Sequence, residues 1–227
     1  GNVELKPSKD INYQLWNYHA DHLFNLAMQK IEVKKKTATN TWLAGFQSLW
    51  QKSLSDGSLP IEDQYISPDE QSYVFSGRIA FSSNRKASEW SMNYTRITAH
   101  GRFLFPREWG TETLYTYSNR ERNEGAGNVH AVMVGHTRYL DKAHLLYFRS
   151  RVGYYRMPPA TEAALNKYAM PSYYHATLQA NYKFKGFLKG LQTEMLYVFK
   201  VAADAGGAYE ASVVHNKVDM QHVAVKF

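Results

Sequence analysis

Arg149 and Arg151 stand two residues apart in "HLLYFRSRVGYY". On an extended chain that spacing puts both guanidinium groups on one face. Leu146, Phe148, Val152 and Tyr154 fall on the other face. Two fixed cations on one wall attract anions, and an apolar reverse side suits hydrocarbon. The same division recurs. In "YYHATLQANYKF", Lys183 shares parity with His175, Gln179 and Asn181, opposite Tyr174, Leu178 and Tyr182. In "LQTEMLYVFKV", Gln192, Glu194 and Lys200 oppose Met195, Tyr197 and Phe199. Other chemistries find less support. His130 and His136 share parity but are too far apart for one ion, and His175 and His222 lie on different segments, so no metal site is expected. "RERNEG" packs Arg120, Glu121, Arg122 and Glu124 together, but it lacks a nucleophile and reads as a loop ion-pair network folded over or into a pore. No GxSxG, P-loop or GxGxxG motif occurs, so neither an enzyme nor a cofactor is expected.

The elements that must carry these faces are strands. Period-two alternation marks about ten segments of membrane-strand length: 11–20, 22–33, 41–51, 72–82, 88–97, 128–140, 144–155, 173–184, 191–201 and 217–227. Helical periodicity is absent at convincing length. Counted back from the last segment, the connections alternate long and short, as expected for a barrel with long extracellular loops and short periplasmic turns. The alternation fades before Thr41. One long connection holds "GRFLFPREWG", whose Phe103, Phe105 and Trp109 are too apolar for a loop in water. Either they pack under the loop at the barrel rim, or the loop folds inward and narrows a channel, with Arg102, Arg107 and Glu108 lining the constriction.

Composition agrees with this reading. No run of about 18 apolar residues exists, so no transmembrane helix is expected. A mean hydropathy of −0.50 does not argue against a barrel, in which only alternate residues meet lipid. The net charge of +7 has one dense basic run, Lys34 to Lys36, in a turn, and no nucleic-acid partner is expected. The chain has no cysteine, and it begins at Gly1 without a signal peptide, which reads as a mature, truncated or tagged product. It ends "HVAVKF", with Val223, Val225 and Phe227 on one face. Outer-membrane barrels end in such a strand with an aromatic last residue.

The sequence here resembles a known family. "FKGFLKGLQTEMLYVFK" followed by "NKVDMQHVAVKF" is similar to the end of OprD-family porins, the outer-membrane carboxylate channels. "INYQLWNYHADHLFNLAMQ" and "SYVFSGRIAFSSNRKASEWSMNYTRI" resemble other hairpins of that family. The similarity covers most of the chain diffusely; the LKGL hairpin and the last strand are its more specific parts. Family barrels have about eighteen strands, which implies that this chain is the C-terminal half; a complete ten-strand barrel with a filled interior is the competing reading. The resemblance also implies a basic ladder in the lumen, which Arg149, Arg151, Lys183, Lys200 and Lys226 could build, with Arg78 and Arg138 as weaker candidates. Glu194 and Leu196 stand where the family tends to have inward arginines, a departure that weakens carboxylate selectivity. Phe227 is implied as the assembly signal.

The expectation is a single domain over residues 1–227: an all-β, transmembrane, antiparallel up-and-down β-barrel in the outer membrane of a Gram-negative bacterium. Its function would be passive diffusion of small polar or charged solutes through a charged lumen. The implied partners are outer-membrane lipids and lipopolysaccharide, the barrel-assembly machinery, and the solutes themselves. A non-conducting barrel that binds a partner protein in a larger assembly, and a soluble all-β binding protein, are the rivals.

Overall fold

The computed structural model describes residues 1–58, 65–83, 85, 87–106, 110–141, 143–203 and 217–227. Among them are eleven strands: β1 (Asn2–Ser8), β2 (Ile11–Ala20), β3 (Phe24–Lys36), β4 (Asn40–Ser53), β5 (Gln71–Ser83), β6 (Ser88–Ile97), β7 (Val129–Tyr139), β8 (Leu146–Arg156), β9 (Tyr173–Lys183), β10 (Gln192–Ala202) and β11 (Met220–Lys226). They form one sheet in chain order, each strand antiparallel to the next. β1 and β11 are its two edges and do not pair with each other. The wall is therefore open, which departs from the complete ten-strand barrel. β1 adds a strand to the ten expected. Only Val3 and Leu5 alternate in it, and Pro7 interrupts the pattern, so it carries too short a periodic signal to be read.

Alternation decides the faces. Leu178, Met195, Val152, Met92 and Ile79 all point out of the convex side and are exposed. Their neighbours Thr177, Lys200, Tyr155, Asn93 and Ser76 point to the concave side and are buried. In β11, Val223 and Val225 pair with the outward Tyr197 and Met195 and lie on the outer face as the sequence indicates, and Phe227, just past the strand, is exposed. The outer apolar surface extends from Val3 to Val225 across the whole sheet, which is what lipid contact requires and what water would not tolerate.

The connections also follow the expected alternation. At one end lie short turns. Asp141 anchors the β7–β8 turn by accepting from the backbone N–H groups of Ala143, Leu145 and Leu146, and these bonds hold its carboxyl below the usual range. The LKGL turn is a 3-10 turn at Gly186–Leu188 bracketed by Gly186 (φ 62°) and Gly190 (φ 104°), a backbone that favours glycine. At the other end lie the long connections. Under them sits the apolar core: Phe24, Leu26, Leu49, Val74, Ile97, Val129, Met133, Tyr155 and Tyr173 from the strands, with Phe103, Leu104, Phe105 and Leu114 from the β6–β7 connection.

Candidate functional site

The described part of the β6–β7 connection, residues 98–106 and 110–128, does not stand out into solvent. It turns in and crosses the concave face as a strap. Gln51 fastens its start: the side-chain amide donates to the Leu104 carbonyl at 2.7 Å and accepts from the Leu104 N–H at 2.9 Å. Gln47 donates to the Thr113 carbonyl at 3.0 Å. The Tyr115 hydroxyl donates to Glu32 on β3, and its ring lies over Gly45, where any side chain would collide with it. Thr116 donates to Thr95 on β6, and Tyr155 on β8 donates to the Thr116 carbonyl. Arg151 reaches Ser118, His175 on β9 meets the Asn119 carbonyl, and Lys200 on β10 pairs with Glu121 at 2.7 Å. The strap is thus tied first to β3 and β4, then through Thr116 to β6 and β8, and finally to β9 and β10. These polar inward side chains have partners because the strap supplies them, as burial demands.

Two carboxylates inside the strap have opposite settings. Glu121 is 1 % exposed, and it is balanced by the Lys200 ammonium, with a further hydrogen bond from the Tyr173 hydroxyl. Glu112 is 2 % exposed and makes no ion pair among the described residues; it accepts from the backbone N–H and the side-chain amide of Asn123. Burial pushes its pKa up to about 7, against the lowering effect of those bonds. A third carboxylate, Glu70, outside the strap, holds the Arg102 guanidinium through both oxygens at 2.8–2.9 Å and takes the Arg102 N–H as well.

The candidate lumen residues divide by this geometry. Arg149 and Arg151 are on the concave face; Arg149 contacts Thr137 and lies over the Tyr147 ring, and neither arginine has a carboxylate partner among the described residues. Arg78 is also inward but is paired with Glu89 at 2.7 Å. Lys200 is neutralised by Glu121, and Lys226 faces Glu194 at 3.6 Å beside the Gln179 amide. Lys183 ends β9 at the short-turn rim and is exposed. Arg138 is a correction: it shares the outer face with Val134, its cross-strand partner Phe148 is also outward, and it is exposed. It sits one residue from the end of β7, where a long cationic side chain can reach the headgroup layer. Arg102 is bound by Glu70, so it does not line an open passage, while Arg107, Glu108 and Trp109 lie outside the described residues. The RERNEG charges do not pair with one another. Alternate residues point to different neighbours: Arg122 to the Phe105 carbonyl, and Glu124 to Tyr65, Tyr168 and Lys167.

Between the strap, the β8–β9 connection and β9–β10 lies a cavity of about 480 Å³, lined by Tyr117, Arg120, Arg122, Tyr168, Tyr173 and Lys200 among others. Among the described residues no group of three His, Asp or Glu side chains converges to hold a metal. Sequence reasoning missed Glu112, Asn123, Tyr115 and Glu32 as a set. Nothing in a non-periodic loop signals which residue meets which strand.

An antiparallel up-and-down sheet with an apolar convex face, a polar concave face and a long loop folded inside defines a barrel wall of the porin type. The solved structures make the fold specific. The chain superposes on Pseudomonas aeruginosa OccK11 (OpdR) with a TM-score of 0.71 at 11 % identity, covering 99 % of this chain and 54 % of that one. OccD1 (OprD), in a doubly substituted form, matches with a TM-score of 0.73 at 10 % identity, covering 92 % and 55 %. OccAB4 of Acinetobacter baumannii matches at 0.68 and 12 % identity, covering 88 % and 47 %. The fold is that of about half of an OprD/Occ-type barrel, and the chain spans about half the length of these structures. No protein-family model and no curated protein sequence matches the chain.

Proposed function

We propose that this chain forms part of the wall, and the constricting loop, of an outer-membrane channel for small polar or charged solutes. The observation that carries the reading is the strap: residues 104–106 and 110–121 run across the concave face and are tied to β3, β4, β6, β8, β9 and β10. A loop held inside a barrel wall by that many polar contacts narrows a passage without sealing it, and leaves charges facing the remaining space. Solutes would move down their gradient, with no group in the wall required to change chemically.

Selectivity follows from which charges stay uncompensated. Arg78, Lys200 and Lys226 each face a carboxylate, whereas Arg149 and Arg151, in the middle of the inner wall, have no carboxylate partner among the described residues. They lie about 7 Å apart along β8 and favour anions mildly. The native gene product, reconstituted in a planar bilayer under a salt gradient, is expected to conduct with a reversal potential on the anion side. Arg149→Gln with Arg151→Gln is expected to move that potential toward cations while conductance persists. A protein that inserts but passes no current would sink the channel reading. An unchanged potential in the double variant would remove these arginines from selectivity.

A further inference from the structure

At the long-connection end of the sheet, three cationic or titratable side chains line up on the outer face of neighbouring strands. Arg96 on β6 is the direct cross-strand partner of His130 on β7, and His130 is the partner of Arg156 on β8. All three sit on the parity of Met92, Val134 and Val152, hence on the convex side. Two strand spacings separate the arginines, so the row spans on the order of 10 Å. Among the described residues none of the three has a carboxylate partner, whereas Arg78, Lys200 and Lys226 on the inner face each have one.

The row has a definite place in the layering of that face. One cross-strand pair nearer the middle lie Tyr94, Val132, Tyr154 and Tyr174, and one pair further still lie Met92, Val134 and Val152. Tyr154 packs on Tyr174 with ring centroids 5.1 Å apart. Aliphatic side chains, then a tyrosine girdle, then cations is the order met on passing from hydrocarbon to headgroups. The geometry is also prepared. Arg96 is steadied through Nη1 by the Ile97 and Val129 carbonyls. The Tyr94 hydroxyl lies 2.8 Å from His130 Nδ1; when it donates there, Nε2 carries the ring proton and is the donor left for a ligand. Arg156 is exposed, and its guanidinium makes no hydrogen bond or ion pair among the described residues. Like charges in one row repel, and an anion bridging them relieves this; arginine is also suited to bind phosphate oxygens in pairs.

We propose that Arg96, His130 and Arg156 form a lipid-facing site for the phosphate group of an anionic glycolipid in the outer leaflet, the phosphorylated anchor of lipopolysaccharide. The assignment rests on the membrane reading above, with the long connections outside. Free phosphate shares the chemistry, but the girdle beneath the row places acyl chains against Met92, Val134 and Val152 at the same time, and this favours the lipid.

The test uses the native gene product in detergent micelles and three probes: the diphosphorylated glycolipid anchor, its dephosphorylated form, and inorganic phosphate, with bound species counted by native mass spectrometry. The phosphorylated anchor is expected to bind, the dephosphorylated form to bind far more weakly, and equimolar inorganic phosphate to displace little. Removing one juxtamembrane cation costs about fivefold, so Arg156→Gln is expected to weaken binding about fivefold, and Arg96→Gln with Arg156→Gln about thirtyfold. Arg156→Lys, which keeps the charge but not the paired N–H donors, is expected to recover part of the loss. Arg156 has no structural partner among the described residues, so its variant tests the site even if Arg96→Gln fails to fold. Wild-type affinity in Arg156→Gln, or indifference to dephosphorylation, overturns the proposal; displacement by equimolar phosphate overturns the lipid assignment. Conductance and cysteine labelling of the loops need no glycolipid, so they report on the channel reading separately.

Discussion

Replacing Glu112 by glutamine tests whether the strap is held as its contacts indicate. In the docked strap the Glu112 carboxyl is buried, accepts only from Asn123, and has a pKa near 7 against 4.5 for the free group. A released strap would expose it and restore the lower value. The docked state therefore binds the proton more tightly, and its advantage is full below about pH 4.5. It shrinks as pH rises toward 7 and is gone above that. Raising the pKa from 4.5 to about 7 amounts to ~3 kcal/mol. Glu121 acts against the charged form and Arg122 in its favour, and both effects are contained in that figure. Glutamine keeps the acceptor for Asn123 and removes the charge. Hydrogen exchange of the 112–123 amides is expected to show wild-type protection falling between pH 5 and 7, while Glu112→Gln stays flat and is better protected at pH 8. In single-channel records the same variant is expected to show fewer loop-type fluctuations at pH 8. If both proteins lose protection in parallel, or if the glutamine variant is looser at pH 8, then Glu112 is not the group that couples the strap to protons.

Three further outcomes follow from the same contacts. Lys200→Met strands the Glu121 carboxylate in a buried site; loss of 3–5 kcal/mol of strap stability is typical of such a break, and adding Glu121→Gln is expected to recover much of it in thermal unfolding. Gly45→Val forces the Tyr115 ring off β4 at a cost of about 1–3 kcal/mol; a larger and noisier conductance is expected, and an unaltered current would show that the strap does not limit the passage. Single cysteines at Thr161 and Asp141, in a chain that has none, are expected to label on intact cells at the first position only, and the reverse pattern would invert the topology.

The strands were legible because lipid and lumen impose period two on each of them, and because the sheet runs in chain order with no crossover to infer. Register was not legible. Knowing that Arg96, His130 and Arg156 each lie near a strand end does not say that they adjoin, because adjacency depends on the hydrogen-bond offset between strands. Parity also lost meaning in β7, where Ala131 and Met133 are apolar on the inner face as Val132 and Val134 are on the outer. The strap fills that part of the concavity, so an apolar side chain no longer marks lipid, and parity in β7 gives no means of assigning Arg138 to a face. The inward course of the strap had no periodic signature at all. Phe103 and Phe105 announced burial but not direction, and both expectations for them hold in part: the rings pack beneath the rim, while residues 113–121 continue inward.

The number of strands in the sheet constrains what can lie beside it. Eleven strands in strict up-and-down order make β1 and β11 point the same way along the barrel axis. A second copy inserted in the same sense would bring β11 against a β1 of identical direction, so two such sheets could join only through parallel seams. A closing segment whose seams are antiparallel at both edges must begin and end with strands of the opposite direction and so contribute an odd number of them, giving an even total. Parity of strand count thus acts on whatever closes the wall, whether a further run of the same protein or a separate one: both seams are antiparallel only when that run holds an odd number of strands.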